Sequence, residues 1–168
     1  MRRVLVLAAA LTAAVMLGGC AGYRVGTLLP ERIKTIAVPL FVNETSEPNL
    51  EVKATDAVSN ALARDGTLRK VPEAEADVVL TVRIVNYQRK PVRYAGATRP
   101  TEYRITVTVL ATLYDTHEQK DLWTNDRLSG ETDFVVGASL PESELRARPE
   151  ALDDLAHDIV EHIVEGGW

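Results

Sequence analysis

Three runs of alternating residues dominate the chain between positions 78 and 134. From Val78 to Arg89, one face collects Val78, Leu80, Val82 and Ile84, and the other Thr81, Arg83, Val85, Tyr87 and Arg89. A period of two is that of a strand, whose side chains point to opposite faces in turn. The next run, Glu102 to Tyr114, sets Tyr103, Ile105, Val107, Val109, Ala111 and Leu113 towards a core and Arg104, Thr106, Thr108 and Thr112 away from it. A polar turn, Asp115 to Lys120, leads to a third strand from about Leu122 to Phe134. This is the pattern of half-buried antiparallel strands.

Helical periodicity flanks the three strands. A helix is expected from Pro48-Asn49, with Asn49 as N-cap and Gly66 as the stop, because Leu50, Ala54, Ala57, Val58, Ala61 and Leu62 share one face. A second is expected from near Pro149, with Leu152, Leu155, Ala156, Ile159, Val160, Ile163 and Val164 as its apolar stripe. It ends at Gly166-Gly167, leaving Trp168 as an aromatic tail. Before the first helix, Thr35 to Phe41 reads as a short strand, with Pro39 marking an edge or a strand end because it cannot donate a ladder hydrogen bond. The expected fold class is therefore α+β, a two-layer sandwich with two helices packed on one face of a four-stranded mixed sheet.

The first twenty residues change the picture of where this domain resides. Arg2 and Arg3 precede an uncharged run from Val4 to Leu17, which suits the apolar core of a signal peptide and is short for a spanning helix. It closes in Leu17-Gly18-Gly19-Cys20, which resembles the lipobox of bacterial lipoprotein precursors, with Gly18 departing from the commoner Ala or Ser. That resemblance implies a diacylglycerol on Cys20, cleavage just before it, and further acylation of the palmitate type. Cys20 is the single cysteine of the chain, so in an exported protein it has no disulfide partner. Each buried methylene contributes about 0.8 kcal/mol, so two or three acyl chains anchor firmly where one would not. Ala21 stands where an aspartate would favour inner-membrane retention, which points to a periplasm-facing, lipid-anchored protein of the outer membrane. The expected organisation is residues 1–19 as lipoprotein signal peptide, 20–32 as lipidated tether and 33–168 as one α+β domain.

Removing residues 1–19 leaves 149 of the 168 residues, one domain's worth of core. The remaining 17 basic and 24 acidic residues put the net charge at −7, which argues against general nucleic-acid binding. No internal repeat or low-complexity stretch interrupts it. Asn43-Glu44-Thr45 matches a glycosylation sequon, which the bacterial leader sets aside.

The chemistry of enzymes is thinly represented. The chain has no Gly-rich phosphate loop, no Gly-x-Ser-x-Gly elbow and no thiol besides Cys20. His117 sits in the charged turn and reads as solvated. His157 and His162 are five residues apart on a helix, so they point about 140° apart and cannot share a metal. Asp153, His157 and Glu161 do share a face, which is the wet side of the last helix. No cofactor, no metal site and no catalytic residue is expected.

One feature is electrostatic. Arg83, Arg89, Lys90, Arg93, Arg99 and Arg104 fall within 22 positions of an otherwise acidic chain, with Glu102 as the single acid among them. Strand alternation sets Arg83, Arg89 and Arg104 on the face away from the core and places Lys90, Arg93 and Arg99 in a loop between two strands. Tyr87, Tyr94 and Tyr103 are interleaved. Guanidinium groups pair with phosphates through forked hydrogen bonds; such charges also simply solvate a sheet face and protect its edges.

Leu17-Gly-Gly-Cys-Ala-Gly-Tyr23, Ile33-Lys-Thr-Ile-Ala-Val-Pro-Leu-Phe-Val-Asn43, Ala76-Asp-Val-Val-Leu-Thr-Val82, Glu102-Tyr-Arg-Ile-Thr-Val107 and Ala156-His-Asp-Ile-Val160 follow one another along nearly all of the mature chain. Their order resembles that of the LPS-assembly lipoprotein (LptE) family. The resemblance implies an outer-membrane lipoprotein that plugs and helps assemble the LPS-transport β-barrel (LptD-like) and supports lipopolysaccharide delivery to the outer leaflet. Under it, Arg89, Lys90, Arg93 and Arg99 are candidate lipopolysaccharide contacts and the Thr-rich sheet face a candidate barrel-lumen contact. Ile36-Ala-Val-Pro-Leu-Phe-Val-Asn43, followed by a helix and Asp65-Gly66, also resembles small α/β modules of periplasm-facing adaptor lipoproteins that serve a secretion pore or a cell-wall synthase.

Overall fold

A computed structural model describes residues 29–165, without the side chain of Asn125. Cys20, the signal peptide, most of the expected tether and Gly166–Trp168 lie outside the described residues. Leu29 is buried in the main core, so the body takes in the chain before Ile33.

The first strand is shorter than its sequence run. β1 is Thr35–Ala37, and pairing stops ahead of Pro39, which has no N–H to offer. It resumes as β2, Val42–Asn43, which lies parallel to a later strand. The Pro39 signal thus marks a strand end rather than an edge, because β1 lies between two parallel neighbours. Helix α1, Leu50–Asp65, makes the crossover to β3, Arg69–Lys70, which pairs parallel to β1. Parallel neighbours need such a connection. Asn49 is not a side-chain cap: it takes a left-handed conformation (φ 58°), which asparagine tolerates, and makes no capping hydrogen bond. Gly66 ends the helix as expected, also left-handed (φ 77°), with its N–H on the Leu62 carbonyl.

After a short 3₁₀ turn, Glu73–Glu75, come the long antiparallel strands β4 (Val78–Ala95), β5 (Arg99–Asp115) and β6 (Lys120–Val135). The sheet order is β3-β1-β4-β5-β6, with β2 alongside β4, giving six strands among the described residues rather than the expected four. The two extra strands are two residues long, too short to show a period. The mixed sheet and the two helices are otherwise as expected.

The last helix, α2, runs Leu140–Glu165 and begins nine residues before Pro149. Its C-terminal part buries Ala151, Leu152, Leu155, Ala156, Ile159, Val160 and Ile163 against α1 and the sheet. One contact is unusually close. Gly130 of β6 leaves no room for a side chain: a Cβ there would sit 2.6 Å from the Leu155 Cα and nearer still to the Leu155 nitrogen and the Ala151 oxygen. On the other side of the sheet, Ala37, Val71, Ala76 and Val79 form a small second cluster.

The end of the sheet where the described chain enters is fastened by two aspartates. Asp77 Oδ2 accepts from the Lys34 N–H (2.9 Å), the Thr35 N–H (2.9 Å) and the Thr35 hydroxyl (2.8 Å), while Oδ1 meets His117 Nε2 at 2.8 Å. Burial alone would push the Asp77 carboxyl up, but these hydrogen bonds outweigh it and hold it well below the usual carboxylate range. Asp115, fully buried, takes Arg32 and the His117 and Glu118 N–H groups, and is held low in the same way. His117 is exposed, but it is engaged rather than merely solvated.

Candidate functional site

The basic residues between positions 83 and 104 all lie on strands. The β4–β5 ladder continues from Arg89↔Ile105 through Ala95↔Arg99, and only Gly96–Thr98 forms the turn. Gly96 supplies the positive φ (68°) that the reversal requires. Lys90, Arg93 and Arg99 are therefore on the strands of an exposed hairpin arm, whose last turn alone extends beyond β6, and not in a loop.

A bulge re-aims the root of this arm. Pairing shifts between Ile84 and Asn86, leaving Val85 without an opposite residue. One extra residue inverts the side chains that follow it, here as far as the next register shift after Pro91. Tyr87 consequently stands opposite Val107 and Arg89 opposite Ile105, on the helix-covered face rather than the outer face expected from strict alternation. Arg83 precedes the bulge and stays on the outer face, as does Arg104 on β5.

Four of the six cations are engaged within the protein. Arg83 makes a forked pair with Glu44 (2.8 and 3.2 Å). Arg93 meets Glu102 at 2.9 Å. Arg104 forks onto Asp133 (2.7 and 2.8 Å) and reaches Glu131 at 3.1 Å, which holds the Asp133 carboxyl below its ordinary range. Arg89 pairs with Glu144 of α2 and lies over the Tyr103 ring. Among the described residues, Lys90 and Arg99 have no ion-pair partner. These two are the charges of the arm left without an internal counter-ion, and Val92 and Tyr94 are exposed beside them.

Glu144 and Arg148 were invisible to sequence reasoning. The buried Glu144 also accepts the Tyr87 hydroxyl at 2.8 Å, and Arg148 packs over the Tyr87 ring while pairing with Glu47 at 2.8 Å. Burial and the hydrogen bond to Glu144 push the Tyr87 phenol up to about 12. An acid and an arginine four apart on a helix look like an ordinary surface pair, and their true partners lie more than fifty positions away.

Among the described residues, no α-helix packs on the outer face of the sheet. That face shows Thr81, Thr106, Leu110, Thr112 and Tyr114 beside the Arg104–Asp133 and Arg83–Glu44 pairs, and it is polar and threonine-rich as the alternation indicated. Elsewhere, His162 Nε2 lies 2.7 Å from Asp126 and edge-on to Trp123, and His157 stands exposed 3.8 Å from Glu161. Among the described residues no three His, Asp, Glu or Cys side chains are grouped to hold a metal ion, and no helix is long and apolar enough to cross a membrane.

Comparison with known proteins was informative at the level of family and fold. A family model described as lipopolysaccharide-assembly, LptE, matches residues 33–165. No curated protein matches in sequence. Among solved structures, a Xanthomonas campestris protein superposes with a TM-score of 0.60 at 14% identity, over 86% of this chain and 92% of its own. An uncharacterised lipoprotein B from Nitrosomonas europaea gives 0.53 at 12% identity, over 85% and 86%. A minor lipoprotein from Acinetobacter baumannii gives 0.53 at 15% identity, over 79% and 93%. At these identities the likeness is one of fold.

Proposed function

The chain belongs to the lipopolysaccharide-assembly (LptE) family, and from that premise we propose that it is a non-enzymatic lipoprotein that seats inside and helps assemble an outer-membrane LPS-transport barrel. The family match across residues 33–165 carries this reading. In it, Cys20 bears the acyl chains that hold the protein on the periplasmic side of the outer membrane. The uncovered, threonine-rich sheet face meets the barrel lumen, where hydroxyl groups can exchange water for hydrogen bonds to a polar wall. The basic arm lies near lipopolysaccharide phosphates and supports their delivery to the outer leaflet.

Purification from membranes in gentle detergent tests the assembly role. The LptD-like barrel is expected in stoichiometric amount, and a cell-wall synthase or secretion pore in its place would replace this reading with the adaptor one.

The arm's contribution is separable from assembly. Of the candidate contacts Arg89, Lys90, Arg93 and Arg99, the two without internal partners should matter most. Lys90→Gln with Arg99→Gln is expected to weaken binding of the soluble domain to lipopolysaccharide several-fold and to flatten its salt dependence, with thermal stability unchanged. Exposed charges carry little folding energy but much long-range attraction. Equal binding by the double variant and the parent in a salt titration would dismiss the phosphate role of the arm.

A further inference from the structure

Donors converge on one internal carboxylate at the root of the arm. The Glu144 oxygens accept the Tyr87 hydroxyl and the Arg89 guanidinium. Arg148 stands on the same phenol, its Nε 3.3 Å from the Tyr87 oxygen. One guanidinium and the phenol meet the carboxylate, and the second guanidinium stands behind the phenol; together they make a donor set that a phosphate also accepts, because forked N–H groups fit either anion. Glu144 thus occupies an anion site with an anion of the protein's own.

The segment bearing that carboxylate is held differently from the rest of α2. Pro149 has no N–H, so the Leu145 carbonyl receives no helical bond from it, and Leu145 itself is 55% exposed. Beyond Pro149 seven apolar residues anchor the helix; before it, Glu144 is the one buried side chain. Leu140 and Ala147 pack only part-buried against the main core, and the remaining fastenings are polar: the Ser143 hydroxyl accepts the Gly137 N–H at 2.9 Å, and Arg148 holds Glu47. A segment with few buried apolar contacts opens at far lower free energy than the whole protein.

We propose that Leu140–Glu144 is a strap, hinged at the Leu145–Pro149 turn, whose carboxylate fills a phosphate site made by Tyr87, Arg89 and Arg148 until a phosphate-bearing ligand displaces it. Arg148, beside the hinge, stays with Tyr87 and Glu47 when the strap lifts. The assignment of that phosphate to lipopolysaccharide rests on the function proposed above; the site itself rests on the geometry. An internal occupant reduces apparent affinity by the fraction of time the site is filled. Removing its charge must therefore strengthen binding.

The full chain and its Glu144→Gln variant would be titrated with lipopolysaccharide micelles and, separately, with inorganic pyrophosphate at low ionic strength. The variant is expected to bind about tenfold more tightly, and the gain to vanish when Arg89→Ala is added. A gain with both ligands supports a site that reads phosphate from any source; a gain with micelles alone supports one that reads a lipid headgroup. No gain with either overturns the strap. Should the variant not fold, hydrogen exchange on the parent decides: the Glu144–Ala147 amides, which have acceptors within the helix, exchanging at least tenfold faster than those of 151–163 supports the strap, and equal rates overturn it. A persistent gain in a protein that recovers no barrel from membranes would remove the assembly role and leave the strap standing.

Discussion

Replacing Gly130 with alanine is expected to lower the melting temperature by about 10 °C. The Cβ would enter the space of the Leu155 nitrogen, the Leu155 Cα and the Ala151 oxygen, all backbone atoms of α2. No rotamer change can clear them, so the helix must move off β6. That shift would loosen Leu155 and Ile159, both fully buried. Overpacking a tight core costs about 1–3 kcal/mol, and rigid backbone neighbours place this site at or above the upper figure. For a domain of this size each kcal/mol moves the melting temperature by roughly 2–4 °C. Differential scanning calorimetry of Gly130→Ala and Gly130→Ser measures it directly; a melting temperature within 2 °C of the parent for both would show that α2 does not press on β6 as described.

Asp77→Ala is the second large loss, about 2–4 kcal/mol, because it strands the Lys34 and Thr35 N–H groups and the Thr35 hydroxyl at the start of β1. The same carboxylate gives the protein a defined response to acid. Its ordinary value is near 4, and the folded value lies well below. A depressed acid contributes its stability in full above the unfolded value and loses it as pH falls towards the folded one. Asp115 acts in the same direction. Urea denaturation at pH 7 and pH 3 should therefore show the parent losing stability on acidification and Asp77→Ala losing clearly less. Parallel losses in the two proteins would remove Asp77 as a source of the pH dependence.

How far the sequence foretold this fold depends on how long each pattern persists. The strands around Leu80, Val107 and Phe134 and the stripe from Leu152 to Ile163 repeat often enough to declare their period. β2 and β3, two residues each, have no period at all. The arm was read as a loop because Lys90-Pro91 and a run of charges mimic one, while its true turn depends on a single positive-φ glycine. Tyr87 and Arg89 were assigned to the wrong face by one unpaired residue at Val85, and nothing in the sequence marks a bulge there. Pro149 looked like a first-turn residue but sits in the tenth position of the helix, tolerated on its exposed side. For the site, the concentration of arginine was legible. Which of those charges remain available was not, since that depends on Glu44, Asp133 and Glu144 arriving from elsewhere in the chain and on the register that sets Glu102 opposite Arg93.

The length of β4 has a mechanical meaning. Eighteen residues at about 3.3 Å each, less the bulges, make a lever of roughly 55 Å. That exceeds the roughly 40–45 Å thickness of a bilayer with its headgroups. Its fulcrum is the double-aspartate clasp that holds Arg32, Lys34 and Thr35, and its tip is the turn at Gly96. In the seating proposed above, a chain of modest mass would be gripped at one surface and reach cargo at the opposite one, with no need to travel between them.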